Sequence, residues 1–143
     1  MRRGLRLALS CIAVLAVGAC ATYKPPTAGA TARIKFLGDH YYAYIDEGDS
    51  CSTRQMVGKE LWPSTYVNTG KRIRIEQGID TSGLAFGFKC GAAFSFVPQP
   101  ETTYVSEYKR AGSRCRIGLN RLTAKGELTE EPSMRMESPR ACF

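Results

Sequence analysis

One histidine, His40, and one tryptophan, Trp62, stand in the whole of this 143-residue chain. A histidine-rich metal centre is thereby excluded. The six cysteines never stand two to four residues apart, so a zinc site would need four scattered ligands to converge. No glycine-rich phosphate cradle occurs. Gly83, Gly87 and Gly91 recur every four residues inside strand-like sequence, a pattern of bulges or close sheet packing. Ser50, Ser52 and Ser95 are the candidate nucleophiles, and none sits in a strained Gly-x-Ser-x-Gly elbow. His40, between Asp39 and Tyr41-Tyr42, reads as a satisfied surface histidine rather than a general base, which would need a nucleophile and an orienting group in reach. Asp46, Glu47 and Asp49 crowd one loop, which fits a hairpin turn with solvated charge. They lack the set separation of glycosidase carboxylates and the regular oxygen ligands of a calcium loop. The expectation is a protein without catalytic residues, cofactor or metal.

What is present begins at the N-terminus. Arg2, Arg3 and Arg6 precede an apolar stretch from Leu7 to Ala19, with small residues at its exit, which is the layout of a secretory signal. That stretch is shorter than the roughly 20 residues a transmembrane helix requires. Residues 1–19 therefore read as a cleaved segment. Without them the chain keeps 17 of its 20 Lys and Arg against 13 acids, a formal charge of +4 instead of +7. This falls short of the concentrated positive face of a nucleic-acid binder, and no nucleic-acid partner is expected. Arg110, Arg114 and Arg116 come closest to a basic cluster, but they alternate along a strand and read as a solvated sheet face.

The end of the apolar run, Val17-Gly18-Ala19-Cys20, resembles the lipobox of bacterial lipoproteins. The resemblance implies a diacylglycerol thioether on Cys20, cleavage before it, and acylation of the new amino group with a fatty acid such as palmitate. Two or more acyl chains suffice for stable anchoring, at about 0.8 kcal/mol per buried CH₂. Ala21, where an aspartate would favour inner-membrane retention, points to the outer membrane with the domain facing the periplasm. Residues 20–31, with Pro25-Pro26 and small side chains that bury nothing, read as a lipidated tether.

Export makes the remaining cysteines a disulfide framework. With Cys11 in the signal and Cys20 lipidated, Cys51, Cys90, Cys115 and Cys142 allow three pairings. The preferred set is Cys51–Cys90 with Cys115–Cys142, because nested or crossed pairings require distant strands to come edge to edge.

Residues 32–143 suffice for one domain, and their periodicity is two. Ala32, Ile34 and Phe36 alternate with Arg33, Lys35 and Leu37, and Ile73 and Ile75 alternate with Arg72, Arg74 and Glu76, as half-buried strands do. Further strand signals cover 42–45, 84–89, 93–97, 102–108, 114–122 and 133–137. Turn chemistry separates them at Asn68-Thr69-Gly70, Gln77-Gly78, Pro98-Gln99-Pro100, Ala111-Gly112-Ser113 and Lys125-Gly126. About seven or eight short strands predict an all-β, single antiparallel sandwich. The stretch 49–68 is too long for a structureless connection and predicts a helical turn or short strand, with Met56, Val57, Leu61 and Trp62 capping an open end.

The order Ala32-Arg33-Ile34-Lys35-Phe36, Asn68-Thr69-Gly70-Lys71-Arg72-Ile73, Cys90, Phe96-Val97-Pro98 before Tyr104, then Cys115 and a terminal cysteine is similar to small proteobacterial envelope lipoproteins. Those have a transthyretin-like (prealbumin-like) β-sandwich. The resemblance covers most of residues 31–143 and implies fold and location more than activity. Glu101-Thr102 departs from it, standing where a glycine is usual before the tyrosine. Two functions are expected. One is a non-catalytic envelope protein offering a sheet edge, end loops or Tyr41, Tyr42, Tyr44, Tyr66, Tyr104 and Tyr108 to a protein or to peptidoglycan. The other is a periplasmic inhibitor of a hydrolase such as lysozyme, disfavoured because a +4 domain repels a basic enzyme.

Overall fold

A computed structural model of the chain describes residues 21–48 and 50–142. Residues 1–19, the lipobox Cys20, Asp49 of the acidic loop and Phe143 lie outside the described residues. The described chain is all-β. Its strands are β1 (Thr31–Gly38), β2 (Tyr42–Asp46), β3 (Arg54–Met56), β4 (Thr65–Asn68), β5 (Ile73–Asp80), β6 (Lys89–Phe96), β7 (Thr103–Ala111), β8 (Arg114–Leu122), β9 (Leu128–Glu130) and β10 (Arg135–Glu137).

They form two five-stranded sheets. Sheet B runs β4-β1-β7-β8-β9 and sheet A runs β10-β6-β5-β2-β3. Every pair is antiparallel except β1 with β7, which run parallel from Arg33↔Thr103 to Gly38↔Tyr108. The inward side chains of both sheets join in one apolar cluster, with Ile34, Phe36, Tyr104, Tyr108 and Leu119 from sheet B meeting Ile45, Ile75, Phe94 and Phe96 from sheet A. Phe96 and Tyr104 meet edge to face across it at 4.9 Å. The two-residue alternation of β1 is realised: Ala32, Ile34 and Phe36 are buried while Arg33 and Leu37 face out.

Ten strands are described rather than seven or eight. β3, β9 and β10 have three residues each, too few to show a period of two. The stretch 49–68 holds 3₁₀ turns at Cys51–Thr53 and Lys59–Leu61 and the strands β3 and β4. Val57 is buried, Leu61 and Trp62 pack against the core, and Met56 stays exposed.

Three local expectations fail for stated reasons. The strand signal at 84–89 is a loop up to Phe88. Gly83 precedes its alternating Leu84, Phe86 and Phe88 and Gly87 interrupts them, and Leu84 and Phe86 face solvent. The expected turn at Gln77-Gly78 lies inside β5, where Gly78 stands opposite Gly91 of β6. Nor does the segment after Cys20 bury nothing. Tyr23 is 4% exposed in the core cluster, its N–H donates to the Met56 carbonyl at 2.7 Å, and the Met56 N–H donates to the Ala21 carbonyl at 2.9 Å.

Glu101 has φ 58°, the left-handed region that glycine occupies at least cost, and its N–H donates to the Thr31 carbonyl at 3.0 Å.

The disulfides are nested, Cys51–Cys142 and Cys90–Cys115, with Cα separations of 5.5 and 6.0 Å. The expected pairing of chain neighbours is overturned. Cys90 at the start of β6 and Cys115 at the start of β8 point inward from opposite sheets at the same end of the molecule. The chain after β10 crosses the outer face of sheet A and brings Cys142 to the turn that follows β2. Cys51, in the 3₁₀ turn that leads into β3, and Cys90 of β6 lie at opposite ends of sheet A, one at the end with Asp46 and Arg74 and the other opposite Ile79, while Cys115 is on sheet B and Cys142 ends the crossing of sheet A. Non-reducing peptide mapping is expected to recover 51–142 and 90–115 linkages, and a 51–90 peptide would refute this arrangement. In the chain-entropy model, losing the larger loop costs ~4.5 kcal/mol and the smaller ~3.5 kcal/mol, read by urea unfolding of Cys51→Ala/Cys142→Ala and Cys90→Ala/Cys115→Ala.

Candidate functional site

Strand β5 has no exposed face, which is unusual beneath what would be a solvated sheet surface. Its inward residues Ile73, Ile75, Gln77 and Ile79 enter the core, and its outward residues Arg74 and Glu76 are buried as well. The cover is the C-terminal segment 138–142, a strap tied at its end by Cys51–Cys142. The half-buried strand expected from Arg72, Arg74 and Glu76 is therefore buried on both sides.

Burying charge demands partners, and the strap and the sheet supply them mutually. Arg140 donates to Asp46 at 2.7 Å, and its backbone N–H lies 3.4 Å from Glu76 Oε2. Arg54 pairs with Glu76 at 3.0 Å and reaches the Arg140 carbonyl at 3.3 Å. Arg74 donates to the Ser138 carbonyl and lies 3.8 Å from Glu76 and 3.9 Å from Glu137. Three guanidiniums thus face three carboxylates. Burial, and then the neighbouring Arg140 guanidinium, press Arg74 below its ordinary pKa.

Beside this row the outer face of sheet A opens into a cleft of about 480 Å³. The alternation of β2 turns Tyr42 and Tyr44 outward with Asp46, their rings 5.2 Å apart. Arg54 lies over the Tyr44 ring at 3.8 Å. The Tyr42 hydroxyl sits over Gly78 and Gly91, where a Cβ on either glycine would collide with it. Gly91 thus serves close packing, as its spacing suggested. Burial, followed by the Glu76 charge 3.4 Å away, raises the Tyr42 phenol far above its ordinary value, so it remains a hydrogen-bond donor. Tyr41, 61% exposed, stands at the rim with Asp80 and Lys89, and the strap residues Pro139–Cys142 form the far wall.

Compared with family models, curated proteins and solved structures, the chain matches none. The site is therefore read from its own chemistry.

His40 is not a surface residue: it is 5% exposed, its ring 4.2 Å from that of Trp62, and its Nδ1 is 3.1 Å from Gln77 Nε2. Gln77 in turn accepts a hydrogen bond from Ser106, the one serine joined to this network. Trp62 donates from Nε1 to the Val57 carbonyl at 3.1 Å and packs, partly buried, against the core. Ser50 and Ser52 bond each other on the surface, and Ser95 donates to Glu137 at 2.6 Å. Asp46 accepts from Thr53 at 2.5 Å and from Gly48 N–H at 3.0 Å besides Arg140, while Glu47 accepts from Asn68 at 3.0 Å. These carboxylates brace the fold. Tyr104 and Tyr108 are fully buried, Tyr66 is exposed on β4, and only Tyr41, Tyr42 and Tyr44 converge. Among the described residues no group of three His, Cys, Asp or Glu is placed to hold a metal.

The His40 environment sets a pH dependence. Burial holds its pKa below 6.5. Between the lowered folded value and the unfolded 6.5, the unfolded chain binds a proton that the folded chain refuses, so stability falls as pH drops through that window. Urea unfolding is expected to show this loss on acidification from neutrality in the wild type and a flatter profile in His40→Gln. An unchanged slope in the variant would assign it to other groups.

Proposed function

We propose that this chain is a lipid-anchored bacterial envelope protein that holds peptidoglycan in the tyrosine cleft without cleaving it. The observation that carries the reading is the convergence of Tyr41, Tyr42 and Tyr44 beside charged groups of both signs. Tyrosine faces suit the C–H side of a sugar ring, and phenol groups at their rims suit its hydroxyls. Peptidoglycan also carries carboxylates and amines on its stem peptides. Lys89 and Arg54 suit the former, and Asp80 the latter. The carboxylates that line the cleft are each matched by a cation, Glu76 by Arg54 and Asp80 by Lys89, which supports binding rather than acid–base chemistry.

The lipobox Val17-Gly18-Ala19-Cys20 supports attachment through Cys20, and Ala21 supports the outer membrane with the domain facing the periplasm. A transthyretin-like sandwich is supported by the division of the first eight strands, β1, β4, β7 and β8 in one sheet and β2, β3, β5 and β6 in the other. β9 and β10 extend it at the edges.

Sedimentation with purified cell-wall sacculi tests the cleft. Retention is expected to fall at least about tenfold in Tyr41→Ala/Tyr44→Ala, as for the loss of exposed aromatic anchors, with unchanged circular dichroism. A double variant that sediments like the wild type would sink the proposal. For the anchor, Cys20→Ser is expected to remain unprocessed and to lack the acyl mass on its N-terminal peptide. Normal acylation in that variant would overturn the lipobox assignment.

A further inference from the structure

Phe86 is 98% exposed and Leu84 69%, on one loop between β5 and β6. Folding leaves such side chains in water at a cost, and a soluble surface seldom presents two together on a loop tip without a use for them. The loop is built to hold them there. Its base is closed by Thr81 N–H donating to the Phe88 carbonyl at 2.8 Å and Phe88 N–H donating to Thr81 Oγ1 at 2.9 Å. Phe88 turns inward under the Arg110 guanidinium, 4.2 Å from its ring, and Cys90–Cys115 ties the start of β6 to β8 just below.

That disulfide sets the β7–β8 hairpin beside the loop. Residues 80–90 and 107–116 carry five cations against two acids. Asp80 is matched by Lys89 at 3.4 Å and Glu107 by Lys109 at 2.9 Å. Arg110, Arg114 and Arg116 have no ion-pair partner among the described residues. Arg114 and Arg116 point out of sheet B, as a solvated face should, and Arg110 points the other way over Phe88. One end of the molecule therefore combines an apolar tip with unmatched positive charge.

We infer that this end docks on an anionic phospholipid surface, with Phe86 and Leu84 entering the headgroup–acyl boundary and Arg114 and Arg116 meeting lipid phosphates. The two features act together, because shallow apolar insertion and attraction to anionic lipid are each weak alone and add on one surface. The convex tip fits a deformable interface better than a shaped pocket. The inference rests on the envelope reading in one respect. An acyl chain on Cys20 would hold the domain at a high effective concentration beside the bilayer.

Hydrogen exchange of the native protein tests this, on vesicles of phosphatidylglycerol with phosphatidylethanolamine and on vesicles of phosphatidylcholine alone. Amides of residues 82–88 are expected to be protected about tenfold on the anionic vesicles only. The protection should vanish in Phe86→Ser and in Arg114→Gln/Arg116→Gln, whose melting temperatures should match the wild type. Equal exchange on both vesicles would overturn the inference, as would protection that appears only when envelope proteins are added, which would make the loop a protein-docking site. The mass of the N-terminal peptide in the same digest reports acylation separately. An acylated chain with an unprotected loop refutes the docking alone, and a protected loop on an unacylated chain refutes the anchor alone.

Discussion

The strap over sheet A lies where it does because three guanidiniums and three carboxylates neutralise one another beneath it. Neither layer could be buried without the other. Arg54, Arg74, Asp46 and Glu76 would form an ordinary solvated face if the chain ended after β10. Arg140 and the Ser138 carbonyl complete their pairing, and the Cys51–Cys142 bond keeps the strap in place. Buried ion pairs add little net stability relative to apolar packing, but removing one partner leaves an uncompensated charge at a cost of about 3–5 kcal/mol. The pairs therefore couple strap and sheet, since withdrawing either leaves charges of the other unmatched.

The cleft follows from the same arrangement. Its far wall is the strap, Gly91 lines it, and Tyr42 can lie over Gly91 and the buried Gly78 only because neither has a side chain. Arg54 is stacked on Tyr44 and paired with Glu76. The cleft and the ion network thus share one residue. The opposite side of the β5 register, through Gln77, His40 and Ser106, is closed to solvent and serves the core.

Much of this was legible in the residues. Alternation placed β1, β2 and β8 within a residue or two, and the glycines at 70, 112 and 126 do occupy turns with positive φ. The loop at 81–88 reads as a strand because a period of two in Leu84, Phe86 and Phe88 is the same whether a strand or an exposed tip produces it. Tyr23 was missed because one aromatic among prolines and small residues carries no periodicity. His40 was misplaced because burial depends on Trp62 and Gln77, residues 22 and 37 positions away in sequence.

Local chemistry, then, decided the all-β class and most of the turns, because each is set by residues within a few positions of one another, and the count of four remaining cysteines pointed to a disulfide framework. The nested cysteine pairing, the burial of β5 on both faces, and the meeting of Tyr41, Tyr42 and Tyr44 with Arg140 were decided by tertiary structure alone. Each depends on which strands change sheets and where the chain after β10 crosses, and those long-range closures leave no local pattern to read.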